Sequence, residues 1–217
     1  MKRYSAFFTL LLLLPLVFAQ ENAAEDVAQD PGITPDSFLW GVDLALEQIS
    51  LLLAANPEAK AARGLEIAQE RLLEVKAMAE EKNLPALEKA QEEHGKVLLK
   101  VKENVQLVEE DDPEEQLEAE LELEKKLREH QEDVAEVETK LKIKIKIEGV
   151  LSAEQQAKLD EFLASLGESA EEVEVEIKNK KDKTKIRIKE KTGKSEDEVE
   201  KEVEKLEREK GLLEEKV

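Results

Sequence analysis

Apolar residues recur along this chain at two different spacings. Between residues 57 and 110 the spacing is helical. Ala61, Leu65, Ala68, Leu72, Val75 and Ala79 follow one another at steps of four and three, and Leu87, Ala90, His94, Val97, Val101, Val105 and Val108 do nearly the same. Such steps lay one apolar stripe along a helix, suited to a neighbour at a shallow angle. Upstream, Phe38, Leu39, Val42, Leu46, Ile49, Leu52 and Leu53 are the bulkiest apolar set, and this helix is expected at the heart of a bundle. Downstream, Leu117, Leu121, Leu127, Val134 and Val137 are sparser, and the helix they mark is expected to stand partly apart. Thr34-Pro35, Asn56-Pro57 and Asp112-Pro113 each set a capping side chain before a proline, and Asn83-Leu84-Pro85 is a looser version. Proline loses nothing at a first helical position, where its missing N–H would be unpaired anyway. These signals predict helices over about 35–54, 57–82, 84–110 and 113–138. Their short connections make neighbours antiparallel.

From residue 139 the period drops to two. Leu141, Ile143, Ile145 and Ile147 alternate with lysines, Val173, Val175 and Ile177 with glutamates, and Ile186 and Ile188 with Lys185, Arg187 and Lys189. Alternation of this kind predicts half-buried strands. A turn is expected over 179–183. A helix between the first and second strands carries Leu159, Phe162, Leu163 and Leu166 on one face, with Ser152 and Gln155 as its capping box. A last helix follows Ser195, capped with Glu198, and carries Val199, Val203, Leu206 and Leu213. The expected fold class is α+β, mostly helical: an antiparallel helical bundle over 34–138, then a small β-α-β-β-α module over 139–217 with a three-stranded mixed sheet. Opposite charges across strands attract, so the glutamate strand is expected between the two basic ones, in chain order one, two, three. Strands one and two are then parallel through a right-handed crossover.

Charge sharpens this division. Residues 20–138 carry 12 basic and 32 acidic side chains, net −20, whereas 139–217 carry 19 and 21, net −2. The acidic part would repel nucleic acid and anionic lipid. Aromatic residues are 3% of the chain, so stacking platforms for bases are scarce. The N-terminus has the layout of a secretory signal peptide over 1–19. Lys2 and Arg3 precede an apolar run from Ala6 to Phe18, and Val17-Phe18-Ala19 offers small residues for a cut between Ala19 and Gln20. The run is 13 residues, short of the roughly 20 that span a bilayer. Residues 20–33 then form a flexible linker. With no cysteine there is no disulfide and no thiolate metal site. The expected location is secreted or in the cell envelope, with no membrane span after cleavage.

A resemblance enters at Pro35-Asp36-Ser37-Phe38-Leu39-Trp40-Gly41-Val42-Asp43 with Leu46-Glu47. It continues through Ala61-Ala62-Arg63 and Leu65-Glu66-Ile67-Ala68-Gln69-Glu70-Arg71-Leu72-Leu73-Glu74. Over about residues 31–110 the chain resembles a helical domain of unknown function. That domain is found in secreted or envelope proteins of archaea and beside anti-sigma-like segments in bacteria. The resemblance implies an extracytoplasmic helical hairpin and supplies no reaction, ligand or catalytic residue. No zinc-binding His/Cys segment is present, so the anti-sigma association does not carry over.

Few residues offer chemistry. His94 lies on the apolar seam of its helix and reads as a core histidine, whereas His130, with Lys126 and Asp133 in helical reach, reads as a surface one. Glu109, Glu110, Asp111, Asp112, Glu114 and Glu115 crowd one helix junction. Oxygen ligands in this number could form a weak calcium site, although acids at a helix N-terminus have a simpler electrostatic reason and no EF-hand spacing is present. Leu151-Ser152-Ala153-Glu154-Gln155 resembles the Leu-Thr-x-x-Gln motif of small periplasmic stress chaperones. No Ser/His/acid or Cys/His set, phosphate loop or HExxH occurs, so no catalytic residue and no cofactor are assigned. The expected role is a non-enzymatic extracytoplasmic interaction or structural protein with a protein partner. The alternatives are an envelope stress chaperone or sensor, and a weak divalent-cation binder.

Overall fold

A computed structural model of the chain describes residues 30–148 and 153–213. The signal segment, the Ala19–Gln20 cleavage site and the linker up to residue 29 lie outside the described residues. All regular structure among the described residues is helical: α1 (Trp40–Leu53), α2 (Pro57–Glu80), α3 (Leu84–Leu107), α4 (Pro113–Glu148), α5 (Ala153–Thr192) and α6 (Glu196–Glu209). None is long and apolar enough to cross a membrane.

Proline capping starts α2 and α4 where the sequence places it. Asn56 Oδ1 accepts from Ala59 N at 2.8 Å, and Asp112 Oδ1 accepts from Glu114 N at 2.8 Å. The Asn83 cap is longer, with Ala86 N at 3.4 Å. Thr34-Pro35 instead opens a turn, closed by Ser37 N on Thr34 O at 2.9 Å, and α1 begins only at Trp40.

Two antiparallel hairpins form the body. In the first, α2 packs on α3, and Gly64 permits the approach: a Cβ there would stand 2.6 Å from Val101 Cγ2. In the second, α4 packs on α5, joined by Gln131–Glu174, Lys181–Glu124 and Thr184–Glu120 at 3.0, 2.6 and 2.8 Å. Between hairpins the neighbours run parallel. α2 meets α4 through Glu66–Lys126 and Gln69–Asp133, and α3 meets α5 through Lys102–Glu172 and Gln106–Glu176. The order around the bundle is therefore α2, α3, α5, α4, with α3 and α4 on a diagonal. Its middle is filled by Leu65, Val97, Val101, Leu123, Leu127, Val173 and Ile177. One end is filled by Leu72, Met78, Leu87, Val134, Phe162 and Leu166. At the other end α6 covers the long hairpin, setting Val199 and Val203 on Leu117, Leu121 and Ile188.

The expected β-α-β-β-α module with its three-stranded sheet is absent among the described residues, whose regular structure across 139–213 is helical. α4 runs unbroken through residues 138 and 139, so the step in charge is not a boundary between folds. The alternating residues resolve into a helical division. Val173 and Ile177 are buried while Val175 between them is 57% exposed, and Ile188 is buried while Ile186 is 57% exposed. The stripe that decides the matter is Leu163, Leu166, Ala170, Val173, Ile177, Lys181, Thr184 and Ile188. All are buried and all are spaced by three or four. The charge rows serve the helix too, through i,i+4 pairs such as Glu174–Lys178, Glu136–Lys140 and Glu138–Lys142. No Gly or Pro stands between residues 168 and 192, so nothing breaks the helix at the expected turn over 179–183. The strand order falls with the strands.

Two further expectations are corrected. α4 is no loose appendage: Leu117, Leu121, Leu123, Leu127, Val134 and Val137 are all buried. The first helix, expected at the heart of the bundle, lies on its outside.

Candidate functional site

The site begins with the way α1 is held. Trp40, Asp43 and Glu47 fall at steps of three and four, on one face, and that polar face is turned to the bundle. It meets Arg71 of α2, which is 1% exposed. The guanidinium pairs with Asp43 at 2.9 Å, with Glu47, and with Glu74 of its own helix at 2.7 Å. Trp40 Nε1 donates to the Glu74 carboxylate at 3.2 Å, and the Arg71 guanidinium lies 6.0 Å from the Trp40 ring centre. Arg63 Nε donates to Ser50 Oγ at 3.3 Å and Lys100 Nζ to Gln48 Oε1 at 2.7 Å. Three carboxylates crowd one guanidinium, two of them, Glu47 and Glu74, buried and Asp43 at the rim. Burial pushes Glu47 up to about 7 and Glu74 up to about 8, against the pull of Arg71.

The consequence is an inside-out helix. Leu39, Val42, Leu46, Ile49 and Leu53, at steps of three, four, three and four, point outward, flanked by Phe38 and Leu52. Leu46 is 60% exposed, Leu52 and Leu53 are 78% and Phe38 is 91%. The only charged residues between Phe38 and Pro57 are Asp43 and Glu47, and both are drawn inward. The outward face is apolar and uncharged on a chain of net charge −20.

The histidines meet at the bundle centre. His94 and His130, from diagonal helices, are 1% and 3% exposed, with Nε2 atoms 3.0 Å apart and rings stacked at 5.1 Å. His94 sits on the buried seam of α3. His130, expected at the surface, is buried because α4 places it on the same 3–4 stripe as Leu123, Leu127, Val134 and Val137. Proton positions follow from the chain of partners. Gln69 Nε2 donates to Asp133 Oδ2 at 2.8 Å, leaving Gln69 Oε1 to accept from His130 Nδ1 at 3.1 Å. His130 Nε2 is then the acceptor and His94 Nε2 the donor. Burial depresses both, His94 to about 3 with the help of His130, and His130 to about 4. Closed from solvent, the pair links the diagonal helices α3 and α4 across the core.

A second polar layer ties α4 to α5. Glu120 Oε1 accepts from Gln116 Nε2 and Thr184 Oγ1, both at 2.8 Å, and Arg187 donates to Gln116 and to Glu110 O. The acidic junction at 109–115 is engaged here. Asp112 caps α4 and pairs with Lys191 at 3.2 Å, the Glu114 N–H and Lys191 together holding its carboxyl below the usual range. Glu114 lies 3.6 Å from Lys194. The structure does not gather Glu109, Glu110, Asp111 and Glu115 with them into an ion cage. Among the described residues no three or more His, Cys, Asp or Glu side chains are placed to hold a metal ion.

What was missed in the sequence is the clasp. Its signal was present: Ile67, Arg71, Glu74 and Met78 follow at steps of four, three and four, a second buried stripe on α2 with two charges in it.

Fold and site together define an α-helical bundle protein that carries one inverted amphipathic helix. Residues 32–144 match a family described as Domain of unknown function (DUF5667), and the chain belongs to that family. The match takes in α1, α2, α3 and most of α4, beyond the 31–110 of the sequence resemblance, while α5, the fourth side of the bundle, lies outside it. No curated protein and no solved structure matches the chain.

Proposed function

We propose that this chain is a non-enzymatic interaction protein working outside the cytoplasm, and that the outward face of α1 is its working surface. The carrying observation is the inversion of α1. Contiguous exposed apolar surface of this extent marks interaction sites in soluble proteins. The clasp around Arg71 supports the reading further, since it uses buried charge to hold an apolar face in water. The extracytoplasmic location rests on the signal-peptide pattern of residues 1–19.

A photo-crosslinking residue at Leu46, in the chain expressed in its own cells, tests the role. Adducts are expected at Leu46 and not at Lys205, an exposed position on α6. Equal labelling at both positions, or a hydrolase activity abolished by one substitution, would overturn it. The same exposed face also favours a second reading, an envelope chaperone that shields unfolded clients. That reading expects suppressed aggregation of a reduced, unfolding client at near-equal ratio, lost in Leu46→Glu/Ile49→Glu. Unaltered client aggregation removes it.

A further inference from the structure

We infer that the outward face of α1 pairs with the same face of a second copy of this chain. The inference rests on the interaction role proposed above and names its partner. Three observations carry it. The first is spacing: Leu39, Val42, Leu46, Ile49 and Leu53 follow at three, four, three and four, the a/d repeat by which two helices interlock side chains. A stripe of this kind is complementary to itself, which a twofold interface requires.

The second is charge. Two bodies of this acidity repel, and only a surface stripped of charge lets them meet without like-charge contacts. Asp43 and Glu47, the only acids in α1, are both committed to Arg71. The third is area. Seven large side chains, 42–91% exposed, offer roughly the 800 Å² per partner of a standard interface.

A lipid surface fits less well. Interfacial helices carry Lys and Arg on the polar face and Trp on the apolar one. α1 has no basic residue, and its Trp40 is turned inward onto Glu74.

Sedimentation of the chain, purified in the form its cell produces, decides the matter. The wild type is expected to sediment at twice the mass of one chain. Leu46→Glu/Ile49→Glu, altering only exposed positions, is expected at the mass of one chain with an unchanged helical circular dichroism spectrum. Leu46→Cys, the sole cysteine in the chain and central in the stripe, is expected to form a covalent dimer on oxidation. Added salt should strengthen pairing by screening the acidic bodies.

A wild type that stays monomeric at every concentration, with no Leu46→Cys dimer, overturns the pairing. If that monomer still shows Leu46 photo-adducts to another protein in cells, or binds neutral phosphatidylcholine vesicles through α1, the interaction role stands with a different partner. If it does neither, both readings fall. A dimer unaffected by Leu46→Glu/Ile49→Glu also overturns the inference, since it would then form elsewhere.

Discussion

α1 and α5 invert each other. α1 is the most apolar helix of the described chain, and of its residues only Glu47 is buried. α5 reads as alternating charge and hydrophobe, yet it forms a full side of the core. Total hydrophobicity therefore does not decide which helix goes inside. What decides it is whether apolar positions keep a 3–4 spacing that matches the neighbours, and whether a polar face finds its partner. α5 has the first. α1 has the second, in Arg71, and its own well-spaced stripe is left facing outward.

The largest expected effect separates helix from strand within α5. In a strand, residues 173, 175 and 177 would share one face. In the helix, Ile177→Asp buries an unpaired carboxylate and is expected to cost more than about 4 kcal/mol. Val175→Asp, on the exposed side, stays within about 0.5 kcal/mol. Urea unfolding followed by circular dichroism reads both, and equal costs at the two positions would break the comparison.

Next is the clasp. Arg71→Leu leaves Glu47 and Glu74 buried without their cation, a change of about 3 kcal/mol. The loss should fall on α1 first. Trp40 is the only tryptophan, so its fluorescence reports α1 while circular dichroism reports the bundle. A red-shifted Trp40 with the bundle spectrum retained is the expected result. Concerted loss of both signals would mean that α1 is integral to the core.

pH divides the two regions with opposite signs. His94 and His130, at about 3 and 4, sit below their ordinary 6.5. Below pH 6.5 the unfolded chain takes up protons the folded one refuses, so stability present above 6.5 is lost toward pH 3. The loss is up to about 1.4 kcal/mol per pH unit per histidine. Glu47 and Glu74, at about 7 and 8, sit above their ordinary 4.5. Their contribution is complete below 4.5 and is lost as pH rises through 7 to 8, because the folded clasp keeps protons the unfolded chain gives up. Acid should thus collapse the circular dichroism, and alkali should shift Trp40 alone. A single transition shared by both probes at either end would count against separate clasp and core.

Smaller again is the α4 cap. Asp112→Ala should lower stability by about 1 kcal/mol, as N-cap losses do, and leave Trp40 unmoved.

Much of the first hairpin was legible. α2 and α3 kept uninterrupted stripes and proline caps, and their predicted spans hold to within a few residues. The second hairpin was legible only in its first arm, where the helix predicted over 113–138 opens α4 at the Asp112 cap, because further on its stripe is broken by polar members. Glu120 and His130 in α4 and Lys181 and Thr184 in α5 are polar types that do not mark a core, though each is buried against a partner. With those positions discounted, the period-two overlay of Ile and Lys became the stronger pattern. α1 misled for the opposite reason. Its hydrophobicity hid the fact that Asp43 and Glu47 share a face, and only Arg71 on the buried stripe of α2 pointed to where that face would go.

The outward orientation of α1 is the claim on which the rest depends. Its most direct measurement is the urea stability of Leu46→Glu/Ile49→Glu at a concentration too low for association, followed by Trp40 fluorescence and circular dichroism together. An outward face predicts a stability within about 0.5 kcal/mol of the wild type by both probes. A loss of several kcal/mol, the consequence of two charges placed in a core, would contradict it.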